Sequence, residues 1–356
     1  GTGFFLGDYR VRLTLVLACL SIGLAGCGER PVARVAPPSP AAQQQQIYVA
    51  TQRNLREPGN SFGEKRPTKL NFVGMTVSVP PTHKIGQIEW PDDTPDANTD
   101  FVITESRHFA SGAAMRNDLL RRRKPGESET VLFVHGYNNT LSDALYRFAQ
   151  IKNDFGVTAP AALYSWPSAG DPRGYAYDRD SVLFARDDME ETLRLLSQGN
   201  DKVFILAHSM GAHLTMEVLR QAALRGDKRL LSRISGVALM SPDIDPDLFR
   251  KQAEAIGTLP QPFVIFTSRE DRALGLISFI TGRKARLGRL DSAEQVKGLN
   301  VSLLDFTELG GEGSDPLKHS VAVTSPLAVG VVRGMIEQAG AGGGRFGDYM
   351  VLKATP

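Results

Sequence analysis

The sequence predicts an α/β fold, a mostly parallel sheet with helices on both faces and a β-rich N-terminal extension. Three observations carry that expectation. Short apolar runs of buried-strand length alternate with segments of helical apolar spacing from residue 130 onward. One of these runs enters a helix through a tight turn of small residues, and another ends in a histidine-glycine pair. Such alternation makes the strands parallel and lets helices cover both faces. The composition, 42% hydrophobic and 22% charged over 356 residues, is that of a globular chain. The 41 basic and 39 acidic residues are well mixed, and a net charge of +2 is too small to recruit nucleic acid.

Apolar runs at residues 130–134, 161–164, 202–206, 236–240, 262–266 and 300–304 read as strands. Residues 141–155, 181–196, 212–224, 245–255 and 326–339 have helical spacing. Upstream, residues 47–50 and the alternating stretch 70–79 also read as strands. The division that follows is a leader over 1–26, a disordered tether over 27–46, a β-rich extension over 47–127, an α/β domain over 128–339 and a flexible tail over 340–356. The tether follows from four prolines and the run Gln43-Gln44-Gln45-Gln46, a composition that cannot bury enough apolar surface to offset ordering.

The apolar run over 13–25, flanked by Arg10 and Arg12 and then by polar residues, is shorter than the ~20 residues a spanning helix needs. It reads as a secretory signal. Its end, Leu24-Ala25-Gly26-Cys27, resembles the lipobox of bacterial lipoproteins, which implies acylation of Cys27, cleavage ahead of it and attachment to a membrane surface. Cys19 is the alternative, but bulky Leu17 two residues before it departs from the pattern. Gly28 after Cys27 implies an outer-membrane location facing the periplasm. With Cys19 removed in the leader and Cys27 acylated, no thiol is left for a disulfide or a cysteine nucleophile.

The segment Val203-Phe204-Ile205-Leu206-Ala207-His208-Ser209-Met210-Gly211 is strand, tight turn and helix start. Small residues at 207 and 211 let strand and helix approach, which holds the Ser209 hydroxyl above the sheet as the candidate nucleophile of a nucleophile elbow with alanine in the first glycine position. Independently, the apolar strand ending at Val134 runs into His135-Gly136-Tyr137-Asn138-Asn139, where glycine lets the backbone turn.

These segments, with Ala50-Thr51-Gln52-Arg53, Ser165-Trp166-Pro167-Ser168 and Ser241-Pro242-Asp243-Ile244-Asp245, resemble a bacterial esterase/lipase-like group of the α/β-hydrolase superfamily over residues 47–339. The resemblance implies an α/β-hydrolase fold and a Ser, acid, His order along the chain. It also implies an oxyanion hole formed by the backbone N–H groups of Tyr137 and Met210. Only His319 follows the nucleophile beyond residue 213, so it is the expected base. His83 and His108 read as surface residues, and His208 and His213 as packing or capping groups beside the elbow. The acid falls within Thr267-Ser268-Arg269-Glu270-Asp271, where the resemblance favours Asp271 over Glu270. Asp243 and Asp245 stand as alternatives, and all these carboxylates also suit helix caps.

Trp166, Tyr175 and Tyr177 follow a strand end, where α/β sheets bind ligands, and are candidates to line a substrate pocket. The apolar run 273–280 either covers the site or completes the core. The expected chemistry is two-step acyl transfer from a small-molecule or lipid acyl ester, with no metal and no cofactor. The same constellation serves an acyltransferase or an amidase. A non-catalytic envelope lipoprotein on a hydrolase fold is the reading of a different class.

Overall fold

In the computed structural model, residues 30–53, 66–282, 285–290, 293–310, 315–342 and 349–351 are described. Cys27, Cys19 and the leader lie outside them. Among the described residues, ten strands form one sheet: β1 (Gln43–Thr51), β2 (Asn71–Val79), β3 (Val102–Phe109), β4 (Glu129–Val134), β5 (Ala161–Ser165), β6 (Lys202–His208), β7 (Ile234–Met240), β8 (Phe263–Thr267), β9 (Ser302–Asp305) and β10 (Tyr349–Val351). Their order is β10-β9-β8-β7-β6-β4-β5-β1-β2-β3. Every pairing from β10 to β1 is parallel, while β1–β2 and β2–β3 are antiparallel.

Among the described residues, ten α-helices accompany them: α1 (Gly112–Arg122), α2 (Leu141–Asp154), α3 (Tyr175–Phe184), α4 (Arg186–Leu196), α5 (Met210–Leu224), α6 (Lys228–Ser232), α7 (Pro246–Ile256), α8 (Arg272–Ile280), α9 (Val321–Thr324) and α10 (Pro326–Gly342). Apolar side chains on both faces explain why the central strands read as continuous runs. Leu132, Val134 and Ile205 pack with Met189, Leu193, Leu214 and Phe249 on one face. Phe133, Leu163 and Leu206 pack with Leu145, Phe148 and Val329 on the other. Phe133 and Phe148 stack at 5.1 Å, each side chain contributing roughly 1.5–3 kcal/mol by burial.

The N-terminal division differs from expectation. Gln43, Gln44, Gln45 and Gln46, assigned to a tether, belong to β1 and pair with residues 76–79 of β2. Gln44 Nε2 donates to Ser78 Oγ at 2.9 Å, and the Thr76 hydroxyl donates to Gln46 Oε1 at 3.0 Å. Upstream, Ala33 and Ala36 are buried, and Val35 bridges Ile103. Composition undervalued the segment because its order comes from backbone pairing and cross-strand amide bonds rather than from apolar side chains. The extension is continuous with the α/β sheet, since β1 pairs parallel with β5. The tail is likewise partly regular, with α10 running to Gly342 and Tyr349–Val351 pairing with β9.

The strand β3 and helix α1 were not foreseen, and the helix expected over 181–196 is two, α3 and α4, meeting at Ala185. No helix among the described residues is long and apolar enough to cross a membrane.

Candidate active site

Ser209 stands between β6 and α5 at φ 53°, ψ −120°. A non-glycine residue in that region is strained and persists only where its surroundings hold it. Three backbone bonds do so: Ser209 N–H donates to Met240 O at 2.9 Å, while Ala212 and Asp243 N–H donate to Ser209 O at 3.1 Å each. The side chain is buried, and its hydroxyl has no hydrogen-bond partner among the described residues.

Two glycines let the neighbouring loop close on this turn. A Cβ on Gly211 would lie 2.3 Å from His135 O and 2.5 Å from Val134 O. One on Gly136 would lie 2.9 Å from Ser209 Cβ and 3.0 Å from His208 Nδ1. The loop bearing Tyr137 therefore passes hard against the serine, and Met210 begins α5, whose first N–H groups have no intrahelical acceptors. The loop's far end is fixed by a capping box, Thr140 and Asp143 bonding each other's backbone at the start of α2.

His319 and Asp271 meet: Nδ1 lies 2.7 Å from Asp271 Oδ2. Burial disfavours the imidazolium, but the Asp271 carboxylate outweighs it and holds the His319 pKa above its ordinary value. Asp271 also caps α8 by accepting Leu274 N–H at 2.8 Å, so the helix-cap reading and the acid reading fall on one residue. The alternatives are differently engaged. Asp243 accepts the Tyr175 hydroxyl at 2.8 Å and faces Arg286 Nε at 3.5 Å, and Asp245 caps α7 through Asp247 and Leu248 N–H. Glu270 pairs with Lys318.

His208 links the two halves. Its ring lies 4.8 Å from that of His319, and its Nε2 is 3.3 Å from His319 O. Burial and the nearby His319 push its pKa down to about 3, so it faces the candidate base uncharged. His213 is buried against Gln252, consistent with packing. His83 departs from the surface reading: its side chain is 7% exposed and bridges Glu89 and Asp154 at 2.8 Å each. A buried histidine between two carboxylates is a structural ion-pair site rather than a solvated residue.

Trp166 also requires correction as a substrate-binding residue. It is wholly buried, stacks on His135 at 4.9 Å and donates its indole N–H to His135 O at 2.8 Å. The end of β5 turns the indole inward, where it supports the loop from beneath. Tyr175 is half-buried on the rim, edge-on to Tyr137 at 5.3 Å. Tyr177 lies under the Arg66 guanidinium at 4.0 Å. The apolar run 273–280 is helix α8, with Leu274 buried and Phe279 exposed.

Two residues that sequence reasoning missed hold the loop. Arg53, at the end of β1, donates to Asn139 O and Ser165 Oγ, and Asp178 on α3 accepts Asn138 N–H. Periodicity gives no signal for either, because both are buried polar residues in otherwise ordinary runs.

A buried serine at a strand-to-helix turn of a parallel sheet, with a histidine-carboxylate pair carried by later loops, is the arrangement of an α/β hydrolase. The chain belongs to the family described as "Alpha/beta hydrolase of unknown function (DUF900)", whose profile matches residues 111–337. No curated protein matches the chain. Among solved structures it is similar to a dienelactone hydrolase from Anabaena variabilis ATCC 29413 (13% identity, 84% of this chain and 96% of that one, TM-score 0.38). Others are a structure from work on the metagenome-derived lipolytic enzymes LipS and LipT (14%, 61% and 95%, 0.36) and Thermogutta terrifontis esterase 2 (12%, 86% and 97%, 0.38).

Proposed function

We propose that this chain is a serine hydrolase that cleaves carboxylic esters through an acyl-enzyme on Ser209, held at a bacterial envelope surface by acylated Cys27. The observation that carries the reading is where backbone strain sits. Among the described residues, the non-glycine positions at positive φ are Asn138, Ser209, Ser241 and Lys318. They fall in the loop after β4, at the nucleophile, in the loop after β7 and immediately before His319. Strain of this kind costs about 1–3 kcal/mol per residue and clusters where a site requires it.

In the mechanism, neutral His319 takes the Ser209 proton as the serine oxygen attacks the ester carbonyl. The N–H groups of Tyr137 and Met210 hold the resulting oxyanion, and Asp271 fixes the imidazole tautomer and stabilises the imidazolium. His319 then protonates the leaving alcohol, and water, deprotonated by the same histidine, releases the acid. In this reading Tyr175, half-buried beside Tyr137, contacts the substrate. The test is turnover of a p-nitrophenyl ester series of increasing acyl length. Hydrolysis that Ser209→Ala removes supports the reading, and hydrolysis that survives the substitution overturns it.

A further inference from the structure

Arg53 lies outside the residues that the family profile matches, two residues past the end of β1, the strand that pairs with β5. It is nevertheless 2% exposed, with its guanidinium spanning two loops. Nε donates to Ser165 Oγ at 2.9 Å, Nη2 donates to Asn139 O at 2.7 Å, and the Arg53 backbone N–H is itself pinned to Thr51 Oγ1 at 3.0 Å. Across the same loop, the Asp178 carboxylate accepts Asn138 N–H at 3.0 Å, Ala169 N–H at 2.7 Å and the Ser168 hydroxyl at 2.6 Å. Ser168 Oγ in turn accepts Asn139 N–H at 3.1 Å. Asn138 and Asn139 are thus gripped through a carbonyl by a buried cation and through N–H groups by a carboxylate and its hydroxyl partner.

We propose that Arg53 is a positioning residue for the oxyanion hole: it fixes the backbone of residues 136–139 so that Tyr137 N–H faces the carbonyl attacked by Ser209. The proposal rests on the serine hydrolase reading. Its physical basis is that the loop turns at Asn138, φ 57°, a conformation open to asparagine but one of several, so bonds to its flanking peptides select it. Charge-assisted bonds do this at about twice the strength of neutral ones. An N–H donor misaimed by a fraction of an ångström loses much of the transition-state stabilisation while scarcely changing ground-state binding.

The experiment uses the full chain, with fluorophosphonate labelling of the wild type as the first measurement. Arg53→Ala should lower kcat for p-nitrophenyl acetate about 10²-fold with KM little changed. It should also weaken inhibition by a trifluoromethyl ketone, whose serine adduct carries an oxyanion, by a similar factor. Millimolar methylguanidinium should restore part of the loss. Arg53→Lys, which keeps the charge but not the two-armed geometry, should fall between. If Arg53→Ala does not fold, Arg53→Lys and Ser165→Ala carry the test, each expected to lose several-fold in kcat with an unchanged melting temperature. A folded variant with kcat within about twofold of wild type overturns the proposal, as does a loss expressed only in KM. If fluorophosphonate fails to label the wild type, the hydrolase reading itself fails and the positioning role falls with it.

Discussion

Replacing Asp271 by Asn separates two functions that one carboxylate performs. Asp271 Oδ1 caps α8 through Leu274 N–H at 2.8 Å, and Oδ2 accepts from His319 Nδ1 at 2.7 Å. Asparagine is as good a cap as aspartate, so the helix should be kept and the melting temperature should move little. Alanine loses the cap and should cost about 1 kcal/mol more. The bond to His319 behaves differently, because a neutral amide neither stabilises an imidazolium nor enforces the tautomer that leaves Nε2 free to accept a proton. In triads of this type such a change lowers kcat about 10⁴-fold. The pH profile adds a second readout. In the proposed mechanism His319 accepts the serine proton only when neutral, and Asp271 holds its pKa above the ordinary value of 6.5. The ascending limb of kcat/KM should therefore lie above pH 6.5 in wild type and move down in Asp271→Asn. The ion pair's stability is present below pH 6.5 and is lost as pH rises through the raised folded pKa, so any difference in melting should be confined to lower pH. Stopped-flow hydrolysis of p-nitrophenyl acetate across pH, with thermal melts of the same samples, measures all of this. Residual activity within tenfold of wild type, or a larger loss in Asp243→Asn, would refute the reasoning.

Gly136→Ala forces a methyl to within 2.9 Å of Ser209 Cβ; it should displace the loop, cost about 1–3 kcal/mol and abolish most turnover, which a melt and an ester assay check together. His83, bridged by two carboxylates, has its pKa raised to about 9, with burial opposing and the Asp154 and Glu89 bonds prevailing. That contribution is complete below about pH 6.5 and lost as pH rises through about 9. His83→Gln should accordingly lower the melting temperature at pH 6 and much less at pH 10. Cys27→Ala should move the protein from the detergent phase to the aqueous phase or leave it unprocessed, whereas an unchanged partition would remove the basis for acyl anchoring.

The central strands and the Ser209 turn were legible because their signals are local: apolar runs buried on both faces, and small residues where a strand meets a helix. The pairing of His319 with Asp271 agrees with chain order, although nothing in the spacing of residues 48 apart encodes the contact. What escaped was set by tertiary context. Strand β3 is the last strand of the sheet order and carries the exposed polar residues Glu105, Ser106 and His108, so it lacks the apolar alternation of a half-buried strand. The glutamine run of β1 offers no apolar signature because its order comes from pairing to β2. Trp166 illustrates the converse: position after a strand end suggested a ligand contact, yet the indole turns into the core and supports His135. Arg53 and Asp178 illustrate it again, as buried polar residues whose partners lie 86 and 40 positions away in sequence.

The most direct test of the nucleophile is site-resolved labelling by a fluorophosphonate, which phosphonylates the activated serine oxygen as fluoride leaves. Intact mass should rise by one adduct per chain in wild type, and peptide mapping should locate it on Ser209. Ser209→Ala should show none, and His319→Ala should label far more slowly, since the hydroxyl remains but its proton acceptor is gone. An adduct on another residue, or one retained in Ser209→Ala, would contradict the account.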